Sequence, residues 1–152
     1  MLNRLFPKQV DNRFEGHRVA LWLLGLLIAV KLAMSINMIF NAAEVAVGAD
    51  KIPLEDYGPE AAQQVLTLFR LVGLDQLALT VAALASLLRY RALVPAVTLL
   101  FLVEHLARRL IVSGSLLPPA ISTAFLVNAA LIALLALILV LSLRRSPTGS
   151  KS

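Results

Sequence analysis

Lys31, Arg70, Asp75, Glu104, His105, Arg108 and Arg109 interrupt stretches that are otherwise apolar, and ionisable groups so placed are where chemistry is expected first. A charge near the centre of a bilayer costs about 2.5–3.5 kcal/mol on insertion scales. Chains that keep several such charges pair them in the interior, where they can also bind or relay. Here the cations outnumber the carboxylates, which leaves an excess of positive charge in the apolar region. That excess points to a small anion, an anionic headgroup or a quinone-like amphiphile as guest. The alternative is a structural ion network that fixes helix register without any ligand.

Spacing sharpens the set. Glu104 and Arg108 are four residues apart and share a helix face, as do His105 and Arg109 one residue over. Gln63, Thr67, Arg70 and Leu74 form a stripe that is polar toward one end, whereas Asp75 lies about 140° around the helix from Arg70. Lys31, Ser35 and Met38 share a face of the first segment. Lys31, Asp75 and Glu104 each stand 13 or 14 residues from a basic collar (Arg18, Arg89 or Arg91), about 20 Å at 1.5 Å per residue. The expected pairs are Asp75 with Lys31 and Glu104 with Arg108, with Arg70 free to meet either acid or an external anion. Asn37 and Asn128 lie one turn further along, with Arg70 and Arg108, so the polar layer is expected to open away from the collars. Arg108 and Arg109 could instead snorkel to the interface.

These side chains need long helices to hold them. Four spans can be drawn, at about 19–40, 61–88, 92–112 and 120–143, each reaching the ~20 residues that a hydrocarbon core requires. Gly48 can end an extension of the first helix, Pro59 suits the first turn of the second, and Pro95 the first turn of the third. Gly114 suits the stop of the third, and Pro118-Pro119 the start of the fourth. Residues 1–18 read as an N-terminal cytoplasmic segment, lying on the inner leaflet or free as a tail, and 144–152 as a polar cytoplasmic tail. Arg4, Lys8, Arg13, Arg18, Arg89, Arg91, Arg144, Arg145 and Lys151 gather on one side of these spans, against Lys51 and at most Arg108 and Arg109 on the other. That asymmetry places both termini in the cytoplasm and an acidic first loop outside. The first segment is expected to remain as a span rather than be cleaved as a signal peptide, because Lys31 and Asn37 interrupt its apolar run. The fold class is all-α: an integral membrane four-helix bundle in a cell (inner) membrane.

Composition agrees. Of 152 residues 59% are hydrophobic and 15% charged, too apolar for an ordinary soluble domain. The net charge of +5 collars the spans and forms no basic stripe with aromatics, so nucleic acid is not an expected partner. Cysteine is absent, which removes disulfides, thiolate metal sites and dithiol redox chemistry. No Walker loop, zinc spacing, nucleophile elbow or dinucleotide fingerprint is present, so no metal or cofactor is expected. Two carboxylates without a nucleophile argue against an enzyme; a lipid-modifying activity built on Glu104 and His105 is the catalytic alternative.

Four spans with both termini inside, a longer first outer loop and polar residues toward the outer half resemble small bacterial DoxX-like membrane proteins. The resemblance covers the layout from Arg18 to Arg145. It implies a left-handed four-helix bundle in a bacterial inner membrane. Related four-helix proteins with redox activity use paired cysteines, which this chain lacks. The expected function is therefore a multi-span membrane protein whose buried polar site binds, or helps to move, a small anionic or lipid-like ligand. The alternative is an accessory or scaffold subunit, held by structural ion pairs to a membrane-protein partner or to further copies of itself.

Overall fold

The computed structural model describes residues 10–113 and 123–144, together with Leu5 and Pro7. Among these the chain is all-helical, with no strand. Five helices follow in order: α1 (Arg18–Phe40), α2 (Ala42–Gly48), α3 (Pro59–Arg89), α4 (Val94–Ser113) and α5 (Thr123–Leu143). Short 3-10 turns at Leu54–Asp56 and Arg91–Leu93 lead into α3 and α4. The expected stop at Gly114, the Pro118-Pro119 start, the onset of a fourth span at Ala120 and the tail beyond Arg144 lie outside the described residues.

Among the described residues three helices are long and apolar enough to cross a membrane: Arg18–Phe40, Pro59–Arg89 and Phe125–Leu143. The 20-residue α4 is distinguished from them by Glu104, His105, Arg108 and Arg109 in its second half.

The first helix is not extended to Gly48 as one piece. Asn41, at φ −116° and ψ 39°, leaves helical geometry and separates α1 from α2. Its backbone N–H donates to Asn37 O and its side-chain amide to Asn37 Oδ1 at 2.8 Å, so two asparagines one turn apart close the end of α1. Pro59 occupies the first turn of α3, where its missing N–H costs no intrahelical bond. After α2 the chain reverses through Lys51 at φ 59°, with Ile52 N–H donating to Ala46 O at 2.9 Å. This is the left-handed stop that glycine usually supplies. Replacing Lys51 with Gly is expected to raise the unfolding free energy by roughly 0.5–1 kcal/mol, because a side chain there resists positive φ. Thermal unfolding of the variant beside wild type checks it.

Packing joins α1 most extensively to α3, and α4 to α5, with α1 also touching α5. The buried core runs through Leu24, Leu27 and Ile28 of α1, Ala83 of α3, Phe101 of α4 and Leu135 and Ile138 of α5. Lipid tails are as apolar as these side chains, so association rests on close packing rather than on escape from water. Gly73 sets the approach of α3 to α1. A Cβ there would lie 3.0 Å from Ile39 Cγ1, 3.1 Å from Met38 Cβ and 3.2 Å from Ile39 N. A backbone nitrogen cannot swing aside. Gly73→Val is expected to cost about 1–3 kcal/mol, read as a lower unfolding midpoint at unchanged helix content.

The segment before α1 is docked rather than loose. His17 N–H donates to Leu141 O at 3.0 Å, and Ala92 N–H to Asp11 O at 3.3 Å. Gly16 lies against the backbone of Ser142, where no side chain would fit. The start of α1, the end of α3 and the end of α5 therefore meet at one end of the molecule. Arg18, Arg89, Arg91 and Arg144 collect there.

Candidate functional site

Helical periodicity explains how a lysine becomes buried. Leu24, Leu27, Ile28, Lys31 and Ser35 occupy one face of α1, and that face is the one packed inward. Lys31 is only 2% exposed, among the largest fully buried side chains of the described structure. Ser35 satisfies its hydroxyl on its own helix by donating to Lys31 O at 2.8 Å, so it adds no acceptor for the ammonium.

The partner of that ammonium is an imidazole, not a carboxylate. Lys31 Nζ lies 3.2 Å from His105 Nε2, and 5.2 Å from the centre of the Phe101 ring, one turn earlier on α4. An ammonium over an aromatic face gains from the ring quadrupole, more so when desolvated. On its other side, His105 Nδ1 stands 2.8 Å from Glu104 Oε2. The contact is short, but adjacent helix residues diverge by about 100° and its geometry is not that of a hydrogen bond, so neither atom has a hydrogen-bond partner among the described residues. Glu104 Oε1 accepts from Arg108 Nη2 at 2.6 Å and Nε at 3.1 Å, and from Gln76 Nε2 at 2.9 Å.

These groups form one continuous chain: Lys31, His105, Glu104, Arg108, with Gln76 attached from α3. Side-chain exposure rises along it, from 4% at His105 to 21% at Glu104 and 38% at Arg108. The chain therefore opens toward the end of the molecule opposite the arginine cluster. At that mouth Asp50 faces the Arg108 field. Partial loss of solvent holds its carboxyl above the ordinary carboxylate range, against the pull of Arg108.

Donor counting fixes a consistent proton arrangement. A charged Lys31 has donors only, so Nε2 of His105 must accept, and the ring proton then sits on Nδ1, facing the Glu104 carboxylate. With the imidazole neutral, Lys31 and Arg108 oppose the single charge of Glu104. The cluster keeps an excess of positive charge.

Two residues read into the site from sequence stand outside it. Arg70 and Asp75 are both exposed on α3, with no ion-pair partner among the described residues, so Asp75 does not pair with Lys31. The inward stripe of α3 is Gly73, Gln76, Thr80, Ala83 and Ser86, rather than the Gln63, Thr67, Arg70, Leu74 stripe. Asp75 and Gln76 are consecutive, and about 100° of rotation sends the amide inward and the carboxylate outward. Gln76 is the member of the cluster that sequence reasoning missed; its signal was the spacing Gly73, Gln76, Thr80, a run of small or neutral polar residues on one face.

The secondary residues divide as well. His105 is central. Arg109 does not join it but stacks over the Phe125 ring at 4.0 Å, tying α4 to α5. Asn37 is committed to the end of α1, and Asn128 is half-buried on α5. No group of three His, Asp or Glu side chains able to hold a metal occurs among the described residues.

No protein-family model, curated protein or solved structure matches the chain. The DoxX-like resemblance accordingly rests on layout alone, and the reading of function rests on the geometry above.

Proposed function

We propose that this is a multi-span membrane protein whose Lys31–His105–Glu104–Arg108 chain binds a small anionic or amphiphilic ligand, or helps to move it. In this reading α4 is the fourth span, α1, α3, α4 and α5 form the membrane bundle, and the chain is a DoxX-like inner-membrane protein. The arginine end faces the cytoplasm, in keeping with the preference of Lys and Arg for that side. The observation that carries the proposal is the unmatched charge of Lys31. A buried ammonium whose polar neighbour is a neutral imidazole leaves a desolvated cationic centre, and an anion entering past Arg108 would complete it.

The test is unfolding of the purified protein in nanodiscs against inorganic phosphate, oleate and a short-chain quinone. A ligand at 100 times its Kd raises stability by about 2.7 kcal/mol. One member of the panel is expected to stabilise wild type and to have no such effect on Lys31→Met or Arg108→Ala. Absence of stabilisation by all three, or equal stabilisation of the variants, contradicts the reading.

One observation favours a second reading, an accessory subunit. Arg70 and Asp75 project from a membrane-length helix without partners among the described residues, and such charges are costly against lipid. A neighbouring subunit, or another copy of this chain, would relieve that cost. A monodisperse single chain after gentle solubilisation, with no crosslinks formed from position 75, would remove this alternative.

A further inference from the structure

At the arginine end, well away from the polar chain, α1 and α3 leave a cavity of about 640 Å³, within the size range of ligand sites. Leu21, Gly25 and Leu87 make it largely apolar, Trp22 borders it, and Arg18 and Arg91 both line it. Neither guanidinium has a carboxylate partner among the described residues. Arg91 is held in place by its Nε–H, which donates to Leu87 O at 3.1 Å and leaves its terminal nitrogens for an anion. Gly25 lies on the cavity floor, and a Cβ there would meet only Leu87 Cδ2, at an ordinary 3.6 Å, so a larger side chain at this position has room to project into the cavity. The indole of Trp22 is 81% exposed one turn inside Arg18, the depth at which amphipathic rings lie between headgroups and chains.

We infer that this cavity is a binding site for an anionic phospholipid, its phosphate held by Arg18 and Arg91 and an acyl chain laid over Leu21, Gly25 and Leu87. The chemistry matches at both ends: two unpaired cations at the headgroup level, and an apolar trough below them between two membrane-length helices. A zwitterionic lipid would fill the trough equally well but would bring its own cation to the guanidinium pair. The site shares with the proposed function only the membrane embedding, and none of its residues belongs to the Lys31–His105–Glu104–Arg108 chain.

Trp22 is the one tryptophan of the chain and borders this cavity, so its fluorescence reports on lipid at the cavity mouth, over a background from surrounding lipid that the variants below share. The experiment is quenching of the full-length protein in bilayers by brominated phosphatidylglycerol and, separately, brominated phosphatidylcholine. The apparent association constant is expected to be roughly thirtyfold higher for the anionic lipid, as two basic side chains near the surface imply. In Arg18→Gln/Arg91→Gln the ratio is expected to fall to near one. Gly25→Leu keeps both guanidiniums but fills the trough, and is expected to lower the ratio at least threefold. Equal quenching of wild type by the two lipids overturns the inference. A preference that survives the double substitution overturns it too, and one that is undiminished in Gly25→Leu assigns the effect to the general field of the basic end rather than to this cavity.

Discussion

Glu104→Gln is expected to lower the unfolding free energy by about 3–5 kcal/mol, the cost of leaving buried charge uncompensated. Glu104 is the one carboxylate in the chain of groups, and it accepts from Arg108 and Gln76 on Oε1 while facing His105 with Oε2. Glutamine keeps the volume and one acceptor. Its amide, however, presents N–H where Oε2 faces the imidazole or where Oε1 meets a guanidinium, and neither arrangement is favourable. Arg108→Met should cost less, about 1 kcal/mol or under, because Arg108 is 38% exposed and solvent screens its pairing. Denaturant-titrated unfolding in bicelles measures both. Comparable losses in the two variants would mean that the carboxylate serves Arg108 alone. An unchanged Glu104→Gln would mean that the carboxylate contributes nothing to the fold and is kept for the ligand.

The second large effect is a rescue. His105→Leu removes the one polar group among the described residues that Lys31 Nζ touches and leaves an ammonium with the Phe101 ring for company. A loss of about 3 kcal/mol or more is expected, of the size seen when one member of a buried charged pair is deleted. Lys31→Met alone removes the desolvation cost and leaves one imidazole nitrogen unsatisfied, effects of similar size and opposite sign, so it should stay within about 1 kcal/mol of wild type. Combining the two replaces the whole contact by apolar atoms. Lys31→Met/His105→Leu should therefore recover most of the stability lost in His105→Leu, a coupling of about 2 kcal/mol or more in a double-mutant cycle. Simple additivity would show that the two side chains do not act on each other.

How much of this was legible in the sequence can be traced residue by residue. The long helices follow from uninterrupted apolar runs, and the i,i+4 pairing of Glu104 with Arg108 follows from helical geometry alone. The depth of Lys31 and Glu104 came from counting along helices, and the structure does join them, through His105. Rotation was the illegible quantity. α3 is apolar on most sides, so its sequence does not announce which face packs, and the inward face is chosen by Gly73 fitting against Ile39 and Met38 of another helix. That choice brings Gln76 in and turns Asp75 out.

The partner of Lys31 was illegible for a different reason. Charge matching predicts an acid, whereas the structure supplies a neutral acceptor that passes the interaction on to an acid one step away. The break at Asn41 is closed locally by Asn37 one turn earlier, whereas the docking of Gly16 on Ser142 depends on a contact across the fold that no local pattern encodes.

The central claim is that His105 is the neutral bridge between a buried ammonium and a carboxylate. Nitrogen NMR of the imidazole in bilayers addresses it most directly, in a His17→Asn background that retains a capping side chain and leaves His105 as the single imidazole. The account predicts a neutral ring protonated at Nδ1, with Nε2 bare and hydrogen-bonded, and a change in this pattern in Lys31→Met. A ring protonated at Nε2, or at both nitrogens, would contradict it, because Lys31 would then face a donor instead of an acceptor.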